Sequence, residues 1–111
     1  MDQLIAMARR LGQEIARHER TTLLKKAQDE VDADPETKRL VEQYHQQVEK
    51  IHFLEQQQKP VEVDDKHKLA HLEQQISIHP QLANLTRRQA DFVEMMHKIK
   101  ETIDRELQTD R

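Results

Sequence analysis

The sequence predicts an all-α protein, an antiparallel bundle of about five helices that self-associates through a long amphipathic C-terminal helix. Among its 111 residues there is one Gly, three Pro and only 3% aromatic residues, which is too little turn and aromatic material for a β-sandwich or barrel. Apolar residues recur at helical spacing along the whole chain. No apolar run reaches the ~18 residues of a membrane span, so no membrane insertion is expected.

The first helix is predicted by a single apolar stripe. Leu4, Ala8, Leu11 and Ile15 follow a 4-3-4 spacing, which places their side chains on one face of a helix. The stripe stops at residues 18–22 and resumes out of phase, so we expect a bend there or a second short helix. The five helices are predicted over about 2–18, 20–32, 35–57, 64–78 and 80–107, within a single helical domain spanning residues 1–111.

The third helix has the clearest start signal. Asp34 is suited to accept hydrogen bonds from free backbone N–H groups as an N-cap, and Pro35 fits the first helical position, where its missing N–H costs nothing. The inward face of this helix is predicted to carry Val41, Tyr44, Val48 and Ile51.

Prolines also mark the boundaries of the last two helices. Pro60 disfavours helix at the residue before it and marks a connector, after which Asp64 or Asp65 is expected to cap the fourth helix. Pro80 begins the fifth helix, whose apolar seam has the 3-4 repeat of a coiled coil with one polar interruption. The seam consists of Leu82, Leu85, Gln89, Phe92, Met96, Ile99 and Ile103.

The third and fifth helices are too long for a compact domain of this size to cover. At ~1.5 Å per residue they extend about 33 and 40 Å, whereas a chain of this length has a radius of gyration of about 13 Å. Part of the apolar surface should therefore be buried between subunits, with Phe92, Met95 and Met96 fitting an interface or an intramolecular core equally well. The residues predicted at the oligomer or partner interface are Leu85, Phe92, Met96, Ile99 and Ile103.

Residue types that carry chemistry are scarce or badly spaced. The chain has no cysteine, which excludes disulfides, thiol nucleophiles and thiolate-bound clusters within it. His67 and His71 share a helix face but lack a third ligand, and Ser77 lacks the turn of a nucleophile elbow. Gly12 lies inside a helix, where close approach of a neighbouring helix is the expected reason. We therefore predict no catalytic, cofactor-binding or metal-binding residues and no enzymatic activity.

Charge is spread evenly along the sequence. The formal net charge is −3, and neither half of the chain has the basic excess of a typical nucleic-acid module. Direct nucleic-acid binding is therefore not the leading hypothesis. It stays as the alternative, with Arg9, Arg10, Arg87 and Arg88 facing one groove. A holdase that grips unfolded clients with long helices, as prefoldin does, is a third hypothesis.

The succession of these signals resembles that of the YlbF/YmcA family of small helical bacterial regulatory proteins. The resemblance rests on Ala8-x-x-Leu11-x-x-x-Ile15, the stretch 24–27 (Leu-Lys-Lys-Ala), Asp34-Pro35, and a Pro80-x-Leu82 start to the last helix. It extends from about Leu4 to Leu107, and the motifs are core and capping positions.

The resemblance implies a cytoplasmic, non-enzymatic regulator that works through protein–protein contacts. The implied partners are a second copy of the chain, related helical paralogues and an RNA-decay endonuclease, because family members are linked to RNase Y and to competence, biofilm formation and sporulation. Some family complexes hold iron–sulfur clusters on cysteines. This chain has no cysteine, so it cannot supply such ligands, and no cofactor is expected.

Overall fold

The computed structural model describes residues 1–109, with the backbone alone at Thr109. This part of the chain forms five α-helices and contains no strand. The all-α class predicted from the sequence is therefore confirmed. The helices are α1 (Asp2–Arg17), α2 (Glu19–Ala33), α3 (Pro35–Gln56), α4 (Val63–Ser77) and α5 (Pro80–Thr109).

The break between α1 and α2 is confined to His18, whose backbone is extended. Its Nδ1 atom accepts a hydrogen bond of 3.0 Å from the Arg20 backbone N–H. The imidazole therefore acts as the N-cap of α2 and satisfies one of the four free donors of a helix start.

The start of α3 follows the sequence prediction. The Asp34 side chain accepts from the Glu36 backbone N–H at 3.1 Å, and Pro35 takes the first helical position. Its C-terminal end is closed by a Schellman motif, in which the Lys59 N–H bonds to the Leu54 carbonyl and the Gln58 N–H to the Glu55 carbonyl. Gln58 adopts the left-handed φ of 57° that this motif requires.

The predicted cap of α4 is wrong. The helix begins at Val63, with Glu62 at the N-cap position and no side-chain cap. Asp64 and Asp65 lie in the first turn, where their charges favour the positive end of the helix dipole. Asp65 is instead engaged by α3, which explains why it is not free to cap.

The described residues divide into two compact units. Unit 1 comprises residues 1–28 and 85–109, and unit 2 comprises residues 29–84. Within unit 2, α3 and α4 pack antiparallel, since Gln47 contacts Asp65 while Thr37, ten residues earlier, contacts His79. Buried apolar residues are few among those described: Ala27 in unit 1, and Val31, Leu72 and Leu82 in unit 2.

The inward face of α3 departs from the prediction at one position. Val48 is exposed, and its neighbour Gln47 is 4% exposed in its place. The Gln47 amide donates to the Asp65 backbone carbonyl at 2.9 Å. A buried amide is tolerated when it is hydrogen-bonded, and this bond to α4 turns the polar residue inward.

Candidate functional site

Unit 2 contains a buried polar cluster at the start of α3. Thr37 is 1% exposed, and its hydroxyl donates to Asp34 Oδ2 at 2.9 Å. His79 Nε2 lies 3.0 Å from the same hydroxyl oxygen, and Gln81 Oε1 lies 3.1 Å from it. The single hydroxyl proton goes to Asp34 or to Gln81, and His79 donates to the hydroxyl oxygen from Nε2 in the tautomer that is protonated there. The cluster ties the N-terminus of α3 to the connection between α4 and α5.

The pKa of Asp34 indicates that this cluster has a structural role. The Thr37 hydroxyl bond, aided by the backbone N–H groups of Thr37 and Glu36, holds the pKa of Asp34 below its ordinary value. A carboxylate with a lowered pKa stays ionised near neutral pH and is a poor general base. The cluster orders two helix ends and shows no arrangement for proton transfer to a substrate.

A second polar contact joins α3 to α4. Lys50 Nζ lies 2.9 Å from Asp65 Oδ1, and this bond lowers the pKa of Asp65 and raises that of Lys50. On the buried side, the Gln47 amide donates to the Asp65 backbone carbonyl. Every group in this contact has a partner within the pair of helices, so its role is also structural.

The histidines do not gather. His67 and His71 are exposed on α4, and His97 lies 3.4 Å from Glu101 along α5. Within residues 1–109 no group of three or more His, Cys, Asp or Glu side chains could hold a metal ion. Ser77 bonds to the Gln74 carbonyl of its own helix, at 2.8 Å. No arrangement suited to nucleophilic or metal chemistry is present in the described part of the chain.

The five residues predicted at an interface fall into two groups. Leu85, Phe92 and Ile99 lie on a partly covered stripe of α5, whereas Met96 and Ile103 are exposed. The apolar arc of α5 is thus wider than the single predicted seam. The partly covered stripe, called the inner stripe, consists of Leu85, Arg88, Phe92, Met95 and Ile99.

The exposed residues of α5 form a second stripe with the same period. We call it the outer stripe; its spacing is 4-3-4-3-4, and it is rotated by about 80° from the inner stripe at 3.6 residues per turn. Val93 is 64% exposed and Leu107 71%. The outer stripe consists of Gln89, Val93, Met96, Lys100, Ile103 and Leu107.

The other exposed apolar surface of unit 1 lies on α1. No residue of this helix is buried, although Leu4, Ala8, Leu11 and Ile15 were predicted to share one face of it. The predicted close neighbour of Gly12 is also missing, because a Cβ at this position would meet no described atom within 4 Å. The described residues leave the apolar face of α1 uncovered. This explains both the lack of buried residues on α1 and the open space beside Gly12.

The sequence analysis predicted an interface on α5 and did not single out the exposed apolar face of α1. The signal was available, because the apolar residues of α1 cover nearly half of its circumference, more than a single intramolecular contact needs. The large exposed apolar side chains of α1 are Leu4, Ile5, Met7 and Leu11.

Charge is segregated between the two units, which the even split along the sequence concealed. Residues 1–28 and 85–109 carry eleven basic and eight acidic side chains, a net of +3, whereas residues 29–84 carry six and twelve, a net of −6. Arg9, Arg10 and Arg87 are exposed and make no ion pair with a described residue. Arg20 does, lying 3.6 Å from Glu94 Oε1 and donating to the Asp91 carbonyl.

No helix within residues 1–109 combines the length and the apolar character that crossing a bilayer demands. Among the described residues, unit 1 has nine of the thirteen exposed large hydrophobic side chains, mainly on α1 and α5, and unit 2 has the other four, which are Val48, Phe53, Val63 and Ile78.

Comparison with known proteins identifies the family. Curated protein sequences give no significant match. A chain in the crystal structure of Bacillus subtilis RicA in complex with RicF has a TM-score of 0.80 and 14% identity, with 92% of this chain and 90% of that chain covered; at this identity the likeness shows the fold alone. The family model described as control of competence regulator ComK, YlbF/YmcA, matches residues 4–108. The chain therefore belongs to the YlbF/YmcA family, whose description is that of a regulator.

Proposed function

We propose that this protein is a non-enzymatic helical adaptor that acts in the cytoplasm by binding other helical proteins through the apolar surfaces of unit 1. The observation that carries the proposal is the amount of large apolar side chain left exposed on α1 and the outer stripe of α5. Extended apolar patches of this kind mark interaction sites on soluble proteins.

The partners we propose are a second copy of this chain and related helical proteins. Support comes from the structural neighbour, which is RicA in complex with RicF. Both surfaces have the heptad spacing that lets one helix pack knobs into the holes of another. On α5, the interface is proposed to include Leu85, Phe92, Met96, Ile99 and Ile103, with the last of these and Met96 the most exposed.

The pathway is proposed from the family. Its description as a regulator of competence supports a role in cellular regulation, and the family resemblance extends this to biofilm formation, sporulation and RNase Y-dependent RNA processing. The absence of cysteine from the sequence sets this chain apart from complexes that hold iron–sulfur clusters. We propose that it acts without a cofactor.

The experiment that tests the surface is sedimentation velocity of the full chain over a range of concentrations. Leu11→Asp places a charge on the apolar face of α1 and should shift the protein towards the monomer, whereas Met96→Asp places one on the outer stripe of α5 and should weaken the binding of related helical proteins. Phe53→Asp is the matched control, because Phe53 is 57% exposed but lies in unit 2, and it should leave the mass unchanged. Equal masses for all four proteins would contradict the proposed self-association.

A further inference from the structure

We infer that the outer stripe of α5 is a docking site for an acidic amphipathic helix of a partner protein, and that a second copy of α5 is excluded from it. The inference rests on the proposed function, because it specifies the partner of one of its two surfaces. The residue that decides between the two occupants is Lys100.

Lys100 lies in the middle of the outer stripe, with Met96 before it and Ile103 after it. Its side chain is exposed and makes no ion pair with any residue from 1 to 109. A single Lys at a core position of a coiled coil specifies the register and the oligomer state at a cost in stability. A helix that covers this stripe must therefore accommodate an ammonium group.

A second copy of α5 does not accommodate the Lys100 ammonium group well. In a parallel pair the two Lys100 side chains face each other, and in an antiparallel pair they fall in the same or adjacent layers of the stripe. Like charges placed so close in a partly desolvated seam weaken the association and act against the wrong partner.

A partner helix with Asp or Glu opposite Lys100 removes this cost and gains a charge-assisted hydrogen bond. The basic excess of unit 1 lies at residues 1–28 and 85–88, with eight basic and three acidic side chains, and not along residues 89–108. Arg9, Arg10 and Arg87 of this unit have no described ion-pair partner. Such a field favours encounter with an acidic protein surface.

The test uses two fluorescent synthetic helical peptides with a three-heptad apolar stripe, identical except for Glu or Lys at the central core position. Fluorescence anisotropy with the full-length chain measures their affinities. We expect the wild type to bind the Glu peptide about threefold to tenfold more tightly than the Lys peptide, and Lys100→Glu to reverse that order. Equal affinities of the two peptides for both proteins would overturn the inference.

Met96→Asp separates this inference from the proposed function. If it abolishes binding of both peptides while Lys100→Glu changes neither, the apolar stripe still binds helices and only the acidic partner is refuted. If the wild type binds neither peptide but binds single-stranded RNA with a steep salt dependence, the positive unit serves a nucleic acid and the inference fails.

The exclusion of a second α5 has its own readout in sedimentation velocity. Lys100→Leu should add a species of higher mass, because it makes the centre of the outer stripe apolar. Gln108→Leu adds the same side chain outside the outer stripe and should not do so. An unchanged mass for Lys100→Leu would contradict the role of Lys100 in excluding a second copy.

Discussion

Replacing Thr37 by Val removes one hydroxyl from the buried cluster and keeps the shape of the side chain. Thr37 is 1% exposed and its hydroxyl meets Asp34, His79 and Gln81 within 3.1 Å. The buried His79 Nδ1 already has no hydrogen-bond partner among the described residues, so the substitution leaves both ring nitrogens unpaired.

The expected loss follows from the groups left without partners. A buried donor or acceptor without a partner costs about 1–3 kcal/mol, and the Val methyl has no hydrogen bond to offer in return. We therefore expect Thr37→Val to lower the free energy of unfolding by about 2 kcal/mol. Thr37→Ser keeps the hydroxyl and deletes one methyl group, which should cost about 1 kcal/mol.

The assay is urea unfolding followed by circular dichroism at one fixed protein concentration, because association with another chain adds to apparent stability. At an m-value of about 2 kcal/mol per M, Thr37→Val should move the midpoint down by about 1 M. A Thr37→Ser variant that is less stable than Thr37→Val would refute the reasoning, since packing and not hydrogen bonding would then decide.

Three further predictions concern the same pair of helices. Gln58→Gly should raise the free energy of unfolding by about 1 kcal/mol, because Gly adopts the left-handed φ of 57° without the steric cost of a Cβ; an unchanged urea midpoint would contradict it. Leu72→Ala should lower it by about 2–3 kcal/mol, since Leu72 is 4% exposed, whereas the exposed Val63→Ala should stay within about 0.5 kcal/mol. Because the folded-state pKa of Asp65 lies below its ordinary 3.8, its bond with Lys50 stabilises the fold above that pH and is lost as the pH falls through the lower folded value. Asp65→Asn should therefore flatten the acid limb of a stability–pH profile, and a profile parallel to the wild type would contradict this.

Helix starts that depend on neighbouring residues could be predicted from short patterns in the sequence. Asp34 and Pro35 act within one turn of each other, so their pattern is sufficient to place the start of α3. The break at His18 was also visible as a loss of phase, although the capping by its imidazole was not.

Features that depend on distant residues could not be predicted in the same way. Gln47 is buried because a backbone carbonyl 18 residues away accepts its amide proton, and no periodicity of α3 reveals that partner. Asp65 does not cap α4 because Lys50 and Gln47 hold it from another helix.

The predicted interface on α5 depends on neighbouring residues and on distant ones. The spacing correctly predicted that α5 is a long amphipathic helix. It did not separate the inner stripe from the outer stripe, because the two differ only in which residues cover them. Charge segregation likewise needs the fold, because unit 1 joins the first 28 residues to residues from Leu85 onward.

The central claim is that unit 1 works by protein–protein contact. Its most direct test is affinity capture of the tagged full chain from its native host, with and without ribonuclease, alongside Leu11→Asp, Met96→Asp and the control Phe53→Asp. The account predicts that related helical proteins are recovered after ribonuclease treatment by the wild type and the control, and are lost with both variants of unit 1. Partners that disappear with ribonuclease, yet are retained by Leu11→Asp and Met96→Asp, would contradict it.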